Sequence, residues 1–181
     1  MQITLDLLRA NGACEDGVNA FLGQYPDGLA DYQDVLNKCV EHDLERYAAW
    51  LLNAVGPTMD VLRIEGDLIT DKSIYICGSL YVTGSIKAGR GINAGWDIKA
   101  GRGIKADESI NAGWGVNAGE NINAGWDINA GGGVNAGENI NAGRNYGIYA
   151  GLHARLDDIA HRSIRAAHKP ERIMTGVWVD D

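Results

Sequence analysis

A six-residue phrase repeats from Leu62 to Asn145 without one insertion or deletion, and it constrains the fold of this chain more than any other feature. Position 1 of the phrase is always Leu, Ile or Val, and position 4 is Gly in nine of the last ten units. Position 3 is Ala in every unit from Ile86 onward. Unbroken phase over so long a stretch is typical of a repeat architecture. The fourteen units are LRIEGD, LITDKS, IYICGS, LYVTGS, IKAGRG, INAGWD, IKAGRG, IKADES, INAGWG, VNAGEN, INAGWD, INAGGG, VNAGEN and INAGRN.

The spacing within a unit predicts a short strand followed by a corner. Positions 1 and 3 face the same side of an extended strand, and Gly at position 4 permits a positive φ or a tight bend. An α-helix is disfavoured because each recurring Gly would cost about 1 kcal/mol there. Coiling the chain sets each strand beside its equivalent in the next turn and buries Ile and Ala inside. We therefore predict a mainly β fold, a short triangular β-helix with six residues per face and 18 per turn.

Residues 18 apart should lie on neighbouring turns of such a coil. Ile86, Ile104 and Ile122 are then an interior column, and Trp96 and Trp114 are neighbours on an exposed outer face. On the same rule, side-chain amides stack in rows, as at Asn93, Asn111 and Asn129, and arginines face glutamates, as at Arg90 with Glu108 and Arg102 with Glu120.

Three segments divide the chain. Residues 1–57 are predicted to be an acidic α-helical module, because LDLLRAN, EDGVNAFLGQY, DYQDVLNKCV and LERYAAWLLNAV carry helical spacing or boundary signals. Residues 58–145 are the repeat coil, for which the resemblance described below favours right-handedness. Residues 146–181 are a mixed C-terminal cap, partly helical in LHARLDDIAHRSIRAAH and a strand in RIMTGVWV.

We expect the helices to pack over or beside the first turn and the tail to cover the last, because open strand edges template aggregation. A homodimer joined through the strand at 172–179 is the alternative.

The negative charge of the chain is concentrated in the N-terminal segment, and this limits the classes of partner that the protein can bind. The chain has a net charge of −8, and residues 1–61 carry ten acidic side chains but three basic ones. Direct nucleic-acid binding is disfavoured, because phosphate contacts need a basic surface. The sequence also lacks an apolar stretch long enough for a membrane span and a signal-peptide pattern. Three cysteines without a CxxC pair indicate a reducing, cytoplasmic setting, although a Cys14–Cys39 contact stays open.

The sequence offers no catalytic constellation, so we predict that the protein is not an enzyme. Hexapeptide acyltransferases also use triangular coils, with a His as general base, but these fourteen units contain no His. His153, His161 and His168 lie in the tail without a nucleophile signature or metal-ligand spacing, and His42 lies on an acidic helix. We expect no cofactor and no metal.

Two groups of residues are candidates for binding a partner protein. A dense acidic set on the helical module would steer association with a basic surface. The tryptophan pair is the second candidate, because aromatic residues concentrate binding energy at interfaces. The candidates are Asp27, Asp31, Asp34, Glu41, Asp43, Glu45, Trp96 and Trp114.

Two family resemblances bear on function. The stretch LRIEGDLITDKSIYICGSLYVTGSIKAG resembles the coil of bactofilins, polymer-forming bacterial cytoskeletal proteins, although those lack a helical segment in front of the coil. The whole chain is more similar to a group of bacteriophage and prophage proteins, on the phrases LRANGAC (Leu8–Cys14), IKAGRG (Ile98–Gly103) and IYAGL (Ile148–Leu152). That group has no established activity, so the resemblance implies origin only.

Three functions are compatible with the sequence. The first is a non-enzymatic phage-type protein, dimeric or a larger homo-oligomer, that binds and blocks a host protein such as a defence or nucleic-acid enzyme. The second is a self-assembling scaffold, which the bactofilin-like units favour. The third, an acyltransferase-like enzyme, is disfavoured by the missing His.

Overall fold

The computed structural model describes residues 1–154 and 157–180. It confirms the predicted fold class: the protein is mainly β, with an N-terminal helical module packed against a triangular coil of parallel strands. Two hydrophobic cores result, one inside the coil and one among the helices. The partly buried Tyr75 and the buried Cys77 of the coil pack into the helical core and join the two units.

The helical module contains the four helices that the sequence predicts. Thr4 begins the first of them by accepting a hydrogen bond from the backbone of Leu7 at 3.0 Å, and Gly12, with a φ of 79°, ends the turn that follows it. An antiparallel ribbon, with Ile3 opposite Ala30, was not predicted. The elements are β1 (Gln2–Thr4), α1 (Leu5–Ala10), α2 (Glu15–Gln24), β2 (Leu29–Asp31), α3 (Tyr32–Glu41) and α4 (Glu45–Ala54).

The repeat forms short parallel strands in three sheets, one for each face of the coil. We call them the five-stranded, six-stranded and seven-stranded faces, which begin at β4, β5 and β3 respectively. The fourteen repeat strands and the first strand of the C-terminal tail make five complete turns, and the other tail strands add a partial turn. The repeat strands are β3 (Val61–Ile64), β4 (Leu68–Thr70), β5 (Ile74–Ile76), β6 (Ser79–Val82), β7 (Ile86–Ala88), β8 (Ile92–Ala94), β9 (Ile98–Ala100), β10 (Ile104–Ala106), β11 (Ile110–Ala112), β12 (Val116–Ala118), β13 (Ile122–Ala124), β14 (Ile128–Ala130), β15 (Val134–Ala136) and β16 (Ile140–Asn141).

The register confirms an 18-residue turn. Ile104 pairs with Ile86 on one side and with Ile122 on the other, and these three side chains are at most 1% exposed. The amide rows are present as well: Asn111 donates to Asn93 and accepts from Asn129, both at 2.9 Å. Equivalent bonds join Asn135 to Asn117 and Asn141 to Asn123, so each face carries a side-chain ladder outside its backbone ladder.

Most of the glycines at position 4 lie at bends, as predicted, but the left-handed conformation that the sequence allowed is not used. None of them has a positive φ, so the corner needs no left-handed conformation. They are required because consecutive turns approach closely at the corner. A Cβ added at Gly113 would lie 2.9 Å from the carbonyl carbon of Gly95 and closer still to its oxygen. A side chain here would push two turns apart.

The predicted arginine–glutamate pairs are wrong in their partners, although the residues do lie on adjacent turns. Arg90 reaches Glu45 of the helical module at 2.9 Å instead of Glu108. Arg102 binds Asp67 on the five-stranded side of the first turn instead of Glu120. The backbone N–H of Ser85 and the guanidinium of Arg102 hold the pKa of Asp67 below its ordinary value.

The C-terminal tail both lengthens and covers the coil. It adds β17 (Ile148–Tyr149), β18 (Ser163–Arg165), β19 (Ile173–Thr175) and β20 (Val177–Trp178), all paired in parallel with the chain's own strands. The partly helical expectation is wrong for the described part of that segment, where only a 3₁₀ turn at Ala160–Arg162 forms; residues 155–156 lie outside the described range. The predicted single strand is divided at Gly176, whose φ of 109° sends β19 and β20 to different faces.

Gln33 closes the starting edge of the six-stranded face. Its side-chain amide donates to the backbone oxygen of Tyr75 at 2.7 Å and accepts from the backbone nitrogen of Cys77 at 3.0 Å. A neighbouring strand would make the same pair of bonds. Lys72 adds a contact to the C-terminal end of α3, where its ammonium binds the backbone oxygens of Val40 and Glu41.

Replacing Gln33 with leucine should destabilise this joint. The backbone groups of Tyr75 and Cys77 would lose their partners, at a cost of about 2 kcal/mol. For a chain of this length that lowers the melting temperature by roughly 4–8 °C in calorimetry. Gln24→Leu, at an exposed glutamine at the end of α2, is the control and should melt like the parent protein. Equal melting of the two variants would contradict the role given to Gln33.

Candidate functional site

Three of the candidate carboxylates make contacts within the helical module. Asp31 caps α3 by accepting from the backbone of Gln33 at 2.9 Å. Asp34 accepts from the hydroxyl of Tyr25 at 2.8 Å; burial, and then this bond, raises the pKa of Tyr25. Glu41 pairs with Lys38 at 2.7 Å, and this hydrogen bond holds the pKa of Glu41 below its ordinary value.

Two further candidates hold the module against the coil. Glu45 binds Arg90 at 2.9 Å and accepts from the hydroxyl of Ser73, also at 2.9 Å. Asp43 lies 3.6 Å from the same guanidinium. Asp27, in the turn between α2 and β2, is fully on the outside of the module. The structure therefore gives five of these six carboxylates contacts within the protein, although all but Glu45 remain exposed, and Asp27 lies outside these contacts.

The two tryptophans lie on adjacent turns, as predicted, but their face is not exposed. The backbone nitrogen of Trp114 donates to the oxygen of Trp96 at 3.1 Å, which confirms the 18-residue spacing. Both side chains are half-buried. The ring of Trp114 packs against His161 of the tail, with centroids 5.1 Å apart. The exposed tryptophan is Trp126, which stacks with Tyr146 at 5.9 Å and is 44% exposed.

The helical module contains an apolar cleft that the sequence analysis did not find. It has a volume of 360 Å³ and opens between the helices. We call it the helical cleft and define it by Gly17, Ala20 and Phe21 of α2, Val35 and Cys39 of α3, and Tyr47, Trp50 and Leu51 of α4.

The cleft exists because small residues face large ones. Gly17 lies opposite the ring of Tyr47, and a Cβ added at Gly17 would come within 3.6 Å of that ring. Ala20, one helical turn along the same face of α2, leaves further space. Small residues spaced three or four apart on α2 were the available signal. It was not interpretable alone, because the large residues come from α4, thirty positions later in the chain.

Charged groups of both signs lie around the cleft, and the Cys39 thiol in its wall is a weak nucleophile. Asp16, Lys38 and Arg46 lie at the rim, and the guanidinium of Arg46 lies 4.6 Å over the ring of Tyr47. Burial raises the pKa of the Cys39 thiol to about 11, so at neutral pH it is a protonated, poor nucleophile. The arrangement suits the binding of an apolar group.

The histidines of the tail are on the surface and engage neighbouring groups. His161 binds Asp158 at 2.6 Å, and this hydrogen bond lowers the pKa of Asp158. His153 lies 3.1 Å from the backbone oxygen of Gly113. Within residues 1–154 and 157–180, no three His, Cys, Asp or Glu side chains come together as metal ligands would. No helix in the same ranges is long and apolar enough to cross a membrane.

Residues 1–55 match the family profile of the YdhT N-terminal domain. The matched segment is the helical module with its β1–β2 ribbon, including the helical cleft. The chain is thus similar to that family over its N-terminal third. The coil of parallel strands follows this segment, so the chain is a repeat β-helix protein with a YdhT-like N-terminal domain. No curated protein and no solved structure gives a significant match to the chain.

Proposed function

We propose that this protein is a non-enzymatic binding protein that blocks a host factor by protein–protein contact through its helical module. The helical cleft is the observation that carries the proposal, since a solvent-open apolar cleft of 360 Å³ is a typical binding feature. The partner would be a protein of the host bacterial cell, consistent with the similarity of LRANGAC and IYAGL to phage and prophage proteins.

The shape of the cleft favours an amphipathic helix as the bound element. Apolar side chains one helical turn apart can enter a groove lined by Phe21, Val35 and Trp50. Aromatic side chains at the groove supply a large contact area at low entropic cost. The coil would then act as a rigid support that holds the module.

The charge of the module favours a basic partner surface. Residues 1–57 contain nine acidic and three basic side chains, a net charge of −6. A field of this sign accelerates association with a basic surface, including one that normally holds nucleic acid. Asp27 and Asp16 are the carboxylates best placed for this role, because both are exposed and Asp16 lies on the rim of the cleft.

Filling the cleft should abolish binding. Gly17→Leu places a branched side chain against Tyr47, and because Gly17 is helical the change does not strain the backbone. Tagged protein should capture a defined partner from host lysate, and the Gly17→Leu protein should lose it. Gly23→Leu is the matched control: it makes the same change on the same helix, where a Cβ meets nothing within 4 Å. Capture of the same partner by both variants would place the binding surface elsewhere.

Reversing the charges of Asp16 and Asp27 tests electrostatic steering of the partner separately from binding in the helical cleft. Asp16→Lys with Asp27→Lys should slow association with the captured partner by roughly tenfold at low salt, with a smaller effect at high salt. Reversal at Asp31, Asp34 or Glu41 is less informative, because those carboxylates also make contacts within the helical module.

The scaffold alternative requires growth from both ends of the coil. Strands β17 to β20 extend the C-terminal end irregularly, and Arg172 lies over the end of the five-stranded face, which disfavours head-to-tail polymerisation. Light scattering across concentration distinguishes the two functions, because a scaffold would grow without limit.

A further inference from the structure

The two ends of the coil are finished differently. At the C-terminal end, Arg172 donates to the backbone oxygen of Gly143 at 2.9 Å, and His168 donates from its backbone to Glu138. These contacts lay the tail over the last strand of the five-stranded face. At the N-terminal end, β3 and β4 are the terminal strands of their sheets, and each has one neighbour within the described parts of the chain.

Some backbone N–H and C=O groups of these terminal strands point away from the coil. The nitrogen of Leu68 donates to Ser85, and the oxygen of Thr70 accepts from Gly89, so both residues bond toward β7. Successive residues of a strand alternate in direction, and Ile69 therefore turns its N–H and C=O to the open edge. Val61 and Arg63 do the same on β3, because Asp60 and Ile64 bond toward β6.

Apolar side chains accompany these edges. Leu62 stands in the same interior column as Leu80, yet it is 40% exposed while Leu80 is 0% exposed. Ile69 is 67% exposed, and Met59, just before β3, is 86% exposed. We call this surface, formed by Met59, Val61, Leu62 and Ile69, the open end.

We propose that the open end binds the open end of a second copy of this chain and forms a closed head-to-head dimer, in which the edges of β3 and β4 pair across a twofold axis. The reason is geometric. The two open edges lie on different faces of a triangle, so one extended segment can pair with only one of them. The end of another coil presents both edges at once and also covers Leu62.

The surroundings of the open end suit contact between identical surfaces. The outer surface of the first turn carries charges of both signs, Arg63 with Glu65 and Asp71. Two identical ends can therefore place opposite charges near each other. The acidic module packs on the β5 side through α3, and it also contacts the flanks of β3 and β4, where Met1 lies near Asp60 and Lys72 binds the end of α3. A contact between identical patches closes at two copies.

Sedimentation equilibrium of the full chain tests the dimer. The parent protein should have twice the mass of the monomer at micromolar concentration. Ile69→Pro removes an N–H that points to the open edge, and edge strands tolerate proline. It should weaken dimerisation by roughly 100-fold, as the loss of a central interface contact does. Ile69→Lys keeps the backbone intact, changes an exposed side chain and should have the same effect.

The control is Ile159→Lys, which places the same charge at a 55% exposed isoleucine in the tail and should leave the dimer unchanged. Circular dichroism establishes that each variant is folded, and Ile69→Lys decides the question if the proline variant is not. A parent protein that is monomeric at all concentrations overturns the proposal. So does mass that grows beyond two copies, or a folded Ile69→Lys protein that stays dimeric.

Discussion

Replacing Gly113 with alanine should destabilise the protein by at least about 3 kcal/mol, at the upper end of the cost of overpacking. The added methyl would meet the backbone of Gly95 on the previous turn, 2.9 Å from its carbonyl carbon. Backbone cannot move aside as a flexible side chain can, so the turns must separate and the bonds between them lengthen. The melting temperature should fall by roughly 6–12 °C or more in calorimetry.

Gly103→Ala is the matched control for this substitution. Gly103 also lies in the repeat, but its nearest foreign atom is the oxygen of Asn121, 3.4 Å from an added Cβ. If both alanine variants melt together, close approach of the turns is not the reason for the glycines.

Ending the chain at Asn145 should produce insoluble or polymerising protein. The truncation removes β17 and β18, which pair with the repeat strands β14 and β15, and with them β19 and β20. It exposes Ile128 and Val134, which are 0% exposed in the full chain, together with two strand edges. Open edges beside apolar surface template association. The soluble fraction after expression and light scattering measure the effect.

A chain ending at Val179 is the control, because it keeps all four tail strands and the bond from the nitrogen of Val179 to Ile164. It should stay soluble. A soluble monomer from the shorter chain, with the melting temperature of the parent protein, would show that the tail is dispensable to the coil.

The repeat predicts the coil well because one rule applies at every turn. The interior positions are occupied by Leu, Ile, Val or Ala throughout the later units, so period and register follow from the sequence alone. The tail breaks that rule. Ile148, Ile164 and Ile173 occupy interior or adjoining positions on two faces at irregular spacing, and periodicity cannot align them.

Contacts between distant segments account for the other differences. Arg90 pairs with Glu45 and not with Glu108 because the helical module packs beside it. No local sequence pattern shows this contact. The half-burial of Trp114 depends on His161 in the same way. The helical cleft needs α2 and α4 to face each other, so Gly17 and Ala20 could be seen as small residues but not as one wall of a site.

The coil has two specialised ends and a uniform middle. This arrangement limits the steps by which the length of the coil can change. Inserting 18 residues between β9 and β12 would add one layer of about 4.8 Å and return every side chain to its own column. The joint at Gln33 and the tail strands would keep their faces. Inserting six would preserve each strand but move the tail around to the neighbouring face relative to the helices. Rods of this design can therefore differ in length by whole turns, and a shorter step alters the direction in which the two ends point.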